Sequence, residues 1–164
     1  MPAEDSLQSR ILKSFDRYRE PAAGPSTKAF GKRLVGELLG ESGYVAAALD
    51  PAFEVVMHIG GTTVSLPGSA IVEGAPGQAA AGVLMWTEFG DFVVDADTIA
   101  ASGTMMSLQL TERTLTTTSV GLFVRFRGDV MTSEVVFMGA AQTTDMSAQE
   151  MPSVDALRAA LASA

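Results

Sequence analysis

Hydrophobic positions divide the chain into a helical first third and a strand-rich remainder. In residues 6–20 the apolar side chains recur at helical spacing, at Leu7, Ile11, Leu12, Phe15 and Tyr18. A second stripe consists of Phe30, Leu34, Val35 and Leu38, with Ser26 predicted to cap the start of its helix and Gly40 to end it. A third, short helix is predicted before Asp50, because a residue that precedes proline disfavours helical geometry.

The remainder of the chain is predicted to be mostly sheet. Residues 52–59 form a strand that ends at two glycines, and residues 62–74 form a weak hairpin or an irregular arm. The Ala-rich residues 78–89 are predicted to be a helix. Four strands then follow one another, in residues 91–102, 103–113, 114–127 and 130–140, with a tight turn around Gly128 in the last connection. Ser153 is predicted to cap a short final helix.

This order of elements predicts one α+β domain over residues 1–164. It has a helical part at residues 1–49, a sheet part at residues 52–140 and a C-terminal tail at residues 141–164. Helices that follow each other and precede a run of sequential strands pack on one face of a curved antiparallel sheet. Such a sheet, closed by helices, leaves a conical cavity at its open end.

Composition and charge exclude several classes of function. The formal net charge is −8, with only 11 Lys and Arg, which argues against nucleic acid and against membrane surfaces as partners. There is no Cys and only one His, so no metal site is predicted. The glycine-rich stretches lack the lysine of a phosphate-binding loop, and no cofactor is predicted. The N-terminus resembles no signal peptide and no apolar run approaches the ~20 residues of a membrane span, so a cytoplasmic protein is predicted.

Two segments carry a resemblance to a known family. "ALDPAFEVVMHIGG" (48–61) and "GLFVRFRGDVMTSEVVFM" (121–138) resemble the first strand and the closing hairpin of the nuclear-transport-factor-2-like superfamily, in its SnoaL-like and ketosteroid-isomerase-like branch. The resemblance implies a cystatin-like α+β barrel with a pocket, and a homodimer formed through the outer sheet face. Thr116, Thr118 and Met131 are predicted to lie on that face.

The resemblance also implies site positions, and this sequence departs from them. Isomerase members use a first-strand carboxylate, a helix tyrosine and a protonated aspartate on the penultimate strand. His58 falls near the first of these positions and Leu122 near the last. Epoxide hydrolase members use an Asp-Arg-Asp arrangement, of which the sequence contains no recognisable copy.

Glu134 is the first candidate for acid–base chemistry. Aligned with the family hairpin, it points into the cone together with Val136, Met138, Leu122 and Val124, because alternate residues of a strand share a face. A carboxyl group among apolar neighbours holds its proton more readily, which suits proton transfer. The opposite register would leave Glu134 in solvent or paired across strands with Arg125.

Other candidates surround the predicted cavity. His58, at the end of the first strand, can exchange a proton near neutral pH or be a strand-end residue satisfied by water. Tyr44 is a candidate assisting phenol on a helix, whereas core packing with the hydroxyl at the rim is the alternative. The predicted ligand pocket is completed by Tyr18, Met57 and Trp86, for which core packing is the alternative that the sequence favours.

Two functions are compatible with these residues. One is a cofactor-free isomerase, cyclase or dehydratase that performs acid–base chemistry on a lipophilic small molecule with Glu134, His58 and Tyr44. The other is a non-catalytic ligand-binding or dimeric interaction module of the same fold.

Overall fold

The computed structural model describes residues 6–162. Five helices, α1 to α5, and one 3₁₀ turn at Asp16–Tyr18 accompany six strands, β1 to β6. The helices are Leu7–Ser14, Pro25–Leu39, Ser42–Ala48, Gly68–Ala80 and Val154–Leu161. The strands are Leu49–Ile59, Thr62–Pro67, Val83–Asp95, Thr98–Gln109, Thr114–Arg127 and Val130–Asp145.

The six strands form one curved, unclosed sheet, which confirms the predicted α+β class. Their order is β2-β1-β6-β5-β4-β3, so the last four strands are sequential neighbours, as predicted. The sheet is mixed and not purely antiparallel, because β1 runs parallel to β6. This pairing brings the first strand beside the last and places Val55 next to Glu134.

The predicted helix at residues 78–89 is wrong. The helix lies earlier, at Gly68–Ala80, and β3 begins at Val83. The sequence misleads here because neighbouring residues of β3 are covered on both sides: Leu84 and Trp86 are in the core, whereas Met85 and Thr87 line a cavity. A strand covered on both faces has no alternation of polar and apolar residues, and periodicity cannot separate it from a buried helix.

Several predicted boundaries also differ from the structure. The turn between β3 and β4 lies at Ala96 and Asp97, inside the predicted strand 91–102, and the next one lies at residues 110–113. β6 continues to Asp145, into the predicted tail. Gly24 caps α2 and Pro25 is its first residue, so Ser26 lies within the helix. Gly40 ends α2 in the left-handed conformation and Ser153 caps α5 through Ala156, both as predicted.

The helices pack on the concave face of the sheet through an aromatic cluster. The ring of Tyr18 lies edge-on to those of Phe30 and Phe92, with centroids 5.8 and 5.9 Å away. Tyr18 also packs directly on the backbone of α2 at Gly31, where an added Cβ would lie 2.3 Å from the Cβ of Tyr18. The absence of a side chain at Gly31 therefore sets how closely the N-terminal segment approaches α2.

A bulge in β6 decides which residues face the concave side. Opposite Arg125 and Phe126, the pairing shifts from Ser133 to Met131, so Thr132 is extra. Strict alternation predicted Met131 on the outer face, but this side chain is fully buried because the bulge restores it to the side of Glu134. Thr118, also predicted on the outer face, is buried, and Thr116 is half-buried and hydrogen-bonded to Thr143.

Candidate functional site

A cavity of about 450 Å³ lies between the concave face of the sheet and the helices α2 and α4. Its walls are mostly apolar and include four methionines, Met57, Met85, Met105 and Met138. Methionine side chains are unbranched and adaptable, and such a wall fits lipophilic molecules of varied shape. Among the described residues, three charged side chains line this cavity: Arg33, Glu37 and Glu134.

These three charged residues form one ion-paired group, which we call the Arg33 cluster. Arg33 Nη2 donates to Glu134 Oε1 at 3.0 Å and lies 3.4 Å from Glu37 Oε1. The side chains of Arg33 and Glu134 are 7% and 4% exposed, whereas that of Glu37 is 27% exposed. Glu37 is therefore the member of the cluster that a molecule in the cavity can reach most easily.

Local structure explains why the three residues meet. Arg33 and Glu37 are four residues apart on α2 and so lie on one face of that helix. Glu134 follows the β6 bulge, which aims it at the same point. The guanidinium of Arg33 also lies 5.5 Å from the ring centroid of Phe53 on β1. One arginine thus contacts a helix neighbour and two different strands.

The neighbouring charges and burial shift the pKa values of Glu37 and Arg33. Burial raises the pKa of Glu37 above its ordinary value; Arg33 lowers it and the neighbouring Glu134 raises it further. For Arg33, burial alone would lower the pKa, but the two carboxylates outweigh this effect and raise it. Arg33 therefore stays charged, and Glu37 is the member of the cluster whose proton is held more tightly than in free Glu.

The structure brings some of the predicted pocket residues together. The cavity is lined by Glu134, Met57, Leu122, Val136 and Met138. Glu134 is not the isolated carboxyl that the sequence predicted, because Arg33 pairs with it. The partner in the alternative prediction, Arg125, is exposed on the other face of the sheet. Val124 and Trp86 belong to the core instead, where the indole Nε1 of Trp86 donates to Glu88 Oε2 at 3.1 Å.

His58, Tyr44 and Tyr18 lie away from the Arg33 cluster. His58 points to the outer face, since its neighbours Met57 and Ile59 line the cavity and successive residues of a strand alternate. Its ring stacks on Phe137 at 4.8 Å and its Nδ1 lies 3.1 Å from Thr63 Oγ1. Tyr44 and Tyr18 line a separate cavity on the other side of α2. The proposed proton transfer by His58 and assistance by Tyr44 therefore have no geometric basis in the cone.

Tyr18 nevertheless has an unusual environment. Its side chain is buried, which raises the pKa of the phenol, and its hydroxyl has no hydrogen-bond partner among residues 6–162. The ring lines the second cavity and contacts Phe30, which lines the cone.

Sequence reasoning missed Arg33 and Glu37. Both lie within the apolar stretch "FGKRLVGELLG" (30–40), whose stripe of Phe30, Leu34 and Leu38 was recognised. The sequence did contain a signal for these two residues. Two opposite charges four residues apart normally lie on the solvent-exposed face of a helix, whereas residues 33 and 37 lie beside the apolar stripe. Their burial depends on Glu134, which is about 100 residues further along the chain.

Several known structures share the fold of this chain. No protein-family model and no curated protein matches the chain. An epoxide hydrolase of M. tuberculosis described as LEH-like superposes with a TM-score of 0.58 and 12% identity, over 70% of this chain and 83% of that one. An NTF2-like protein of Burkholderia xenovorans gives a TM-score of 0.54 and 11% identity, over 71% of this chain and 92% of that one. The chain has the NTF2-like fold.

A third solved structure with a similar fold covers more of this chain. It is a protein of Catenulispora acidiphila with a ketosteroid-isomerase-like fold, in complex with trimethylamine, and it gives a TM-score of 0.53 and 13% identity over 78% of this chain and 95% of that one. Identities this low show the fold and not the chemistry. Within residues 6–162, no helix is long and apolar enough to cross a membrane, and no group of His, Asp and Glu is placed to hold a metal ion.

The pairing in the Arg33 cluster predicts the cost of breaking it. Glu134→Leu leaves Arg33 buried with only the weaker contact to Glu37, so urea unfolding should show a loss of about 3–5 kcal/mol. The double variant Arg33→Met/Glu134→Leu should recover most of this loss, because no buried cation remains. Arg127→Met is the matched control: it breaks an ion pair with Asp50, but Arg127 is largely exposed, and the loss of stability should be much smaller. An equal cost for Glu134→Leu and Arg127→Met would contradict the assignment.

Proposed function

We propose that the cone cavity is the active site of a cofactor-free enzyme that performs acid–base chemistry on a lipophilic small molecule. The observation that supports this most is the Arg33 cluster, a group of buried charges in an otherwise apolar, methionine-rich cavity. Buried charge is costly, and an apolar binding cavity gains nothing in affinity for hydrocarbon from it. A carboxyl group with a raised pKa in such a place suits proton transfer.

The roles within the cluster follow from exposure and charge. Glu37, the most exposed member, donates a proton to an oxygen of the substrate or removes one from carbon. Arg33 fixes the orientation of Glu37 and carries a permanent positive charge beside any oxyanion that forms. Glu134 neutralises Arg33, so that Arg33 does not fully suppress the protonated form of Glu37. Isomerisation, cyclisation and dehydration all require this kind of proton movement.

A second candidate reaction is the addition of water to an epoxide. The specific observation in its favour is that Glu37, Arg33 and Glu134 form an acid–arginine–acid arrangement, which the sequence alone did not reveal. In this reaction the carboxylic acid of Glu37 protonates the epoxide oxygen as its C–O bond breaks. Water forms the new C–O bond and gives its proton to the Glu134 carboxylate, and the product is a diol. An LEH-like epoxide hydrolase shares the fold.

Turnover by Glu37→Gln tests both reactions. Styrene oxide serves as the probe for hydration and a β,γ-unsaturated ketone as the probe for isomerisation. We expect wild-type turnover of at least one probe to fall by about 10²–10⁴-fold in Glu37→Gln, the range typical of general acid–base catalysis. Glu73→Gln is the control, since Glu73 is exposed on α4 and does not line the cavity.

The pH profile provides a second readout. When Glu37 acts as the acid, it must be protonated, so activity is present at low pH and is lost as pH rises through its raised pKa. Unchanged turnover in Glu37→Gln would overturn the catalytic role. Binding of both probes in the cavity without turnover would favour the non-catalytic ligand-binding module.

We further infer that the chain forms a homodimer through the outer sheet face. An apolar row crosses five strands there, because the pairing aligns Val93 with Ala100, Phe123, Val135 and Val56. Val93 and Phe123 are 60% and 53% exposed, and Phe137 beside them is 49% exposed. A contiguous row of exposed apolar side chains is typical of an interaction surface.

The charges beside the apolar row favour a second copy of this chain as its occupant. The adjoining row aligns Asp95, Thr98, Arg125, Ser133 and Glu54, with acids at both ends and a cation between them. Two copies related by a two-fold axis can therefore place Arg125 of each one near a carboxylate of the other. The residues of this face are not those that the sequence predicted for the dimer interface. Of the three predicted residues, Thr118 and Met131 are buried and Thr116 is half-buried.

Sedimentation velocity tests the dimer. The wild-type chain should sediment as a dimer at micromolar concentration, and Phe123→Asp should sediment as a folded monomer because it buries a charge in the interface. Val94→Asp is the control: Val94 is 46% exposed, but it follows Val93 and points to the opposite face. A monomeric wild type, or an equal effect of both substitutions, would refute the interface.

A further inference from the structure

The helix α2 separates the cone from a second cavity of about 590 Å³ on its other side. One side of α2 faces the cone with Phe30, Arg33 and Glu37. The opposite side lines the second cavity with Lys28, Lys32 and Val35, whose spacings of four and three residues place them on one face of the helix. The 3₁₀ turn and the end of α5 complete its wall. The two cavities are thus distinct sites on one helix.

Positive charge is concentrated at this second cavity. Arg19, Lys28 and Lys32 all line it, and no Asp or Glu does among the described residues. None of the three forms an ion pair within residues 6–162. Of the eight other Lys and Arg residues, four are paired with a carboxylate: Arg10, Arg33, Arg127 and Arg158.

This concentration of charge runs against the composition of the chain. The sequence has 19 Asp and Glu against 11 Lys and Arg, so a cavity wall with three cations and no acid among its described residues does not follow from the overall balance. Two lysines four residues apart on a helix repel each other. An anion placed between them would relieve that repulsion.

The rest of the wall is apolar. Phe15, Val35 and Leu161 are buried side chains that contribute to it. Lys32 Nζ also lies 5.4 Å from the ring centroid of Tyr44, which holds the ammonium group near the cavity. An apolar wall with a cationic rim matches a molecule that has one anionic group and one hydrophobic part.

We propose that this second cavity binds an organic anion with an apolar body, with its charged group at Arg19, Lys28 and Lys32 and its body against Phe15, Val35 and Leu161. The proposal is independent of the chemistry assigned to the cone. It predicts recognition by charge together with shape: neither the anionic group alone nor the apolar part alone suffices for binding.

Titration calorimetry with three probes tests this requirement. Decanoate, below its micelle concentration, carries both parts, decanol carries only the apolar part, and inorganic phosphate only the charge. We expect saturable binding of decanoate, with decanol at least about tenfold weaker and phosphate weaker still. Equal affinity for decanoate and decanol would overturn the charge recognition. Binding of phosphate as tight as that of decanoate would overturn the role of the apolar wall.

Substitutions and NMR locate the site. Lys28→Gln/Lys32→Gln should weaken decanoate binding about tenfold, since both side chains are exposed and the substitution leaves the fold intact. Lys13→Gln is the matched control, because Lys13 is exposed and does not line this cavity. On binding, the methyl signals of Val35 and Leu161 should shift. Shifts confined to Met57 and Met138, which line the cone, or an unchanged affinity in the double variant, would refute the proposal.

Discussion

The ion pair between Arg33 and Glu134 is the contact on which the site depends. It joins the middle of α2 to β6 across the interior, at 3.0 Å and with both side chains almost fully buried. Removing two charges from water is expensive, and their attraction compensates only when geometry is good and further polar contacts are made. Here Glu37, the Phe53 ring and the Met131 sulfur supply part of those contacts, and the buried Nε of Arg33 has no hydrogen-bond partner among residues 6–162. A buried pair of this kind adds little net stability, but the loss of one partner leaves the other charge buried and uncompensated.

The helix α2 organises both cavities because its two sides carry different chemistry. Towards the sheet it presents Phe30, Arg33 and Glu37, and on the other side Lys28, Lys32 and Val35. Gly31 allows Tyr18 to lie against the helix backbone, and the Tyr18 ring then contacts Phe30. The aromatic cluster therefore borders both cavities, with Tyr18 lining one and Phe30 the other.

Local pattern predicted those parts of the fold that local physics decides. Spacing alone predicts the helical stripes of α1 and α2 and the concave side of β5. Local residue preferences predict the helix end at Gly40 and the cap at Ser153. The parallel pairing of β1 with β6 joins distant segments, and β3 is covered on both faces, so neither leaves a periodic signal. The alternation of side chains along β6 correctly placed Glu134 on the concave face. The same alternation placed Met131 on the outer face, which is wrong because a bulge lies between the two residues. The partner of Glu134 was missed because Arg33 resembles a surface charge until the tertiary contact is known.

The carboxyl of Glu37 offers the most direct test of the account, because it is the group whose environment the Arg33 cluster creates. A ¹³C-detected NMR titration of the Glu side-chain carboxyls, with the Glu37 signal identified by its loss in Glu37→Gln, measures its pKa in the folded protein. We expect the pKa of Glu37 to lie above the ordinary value of a glutamate, since burial and the nearby Glu134 together outweigh Arg33. A Glu37 signal that titrates with the exposed glutamates would contradict it.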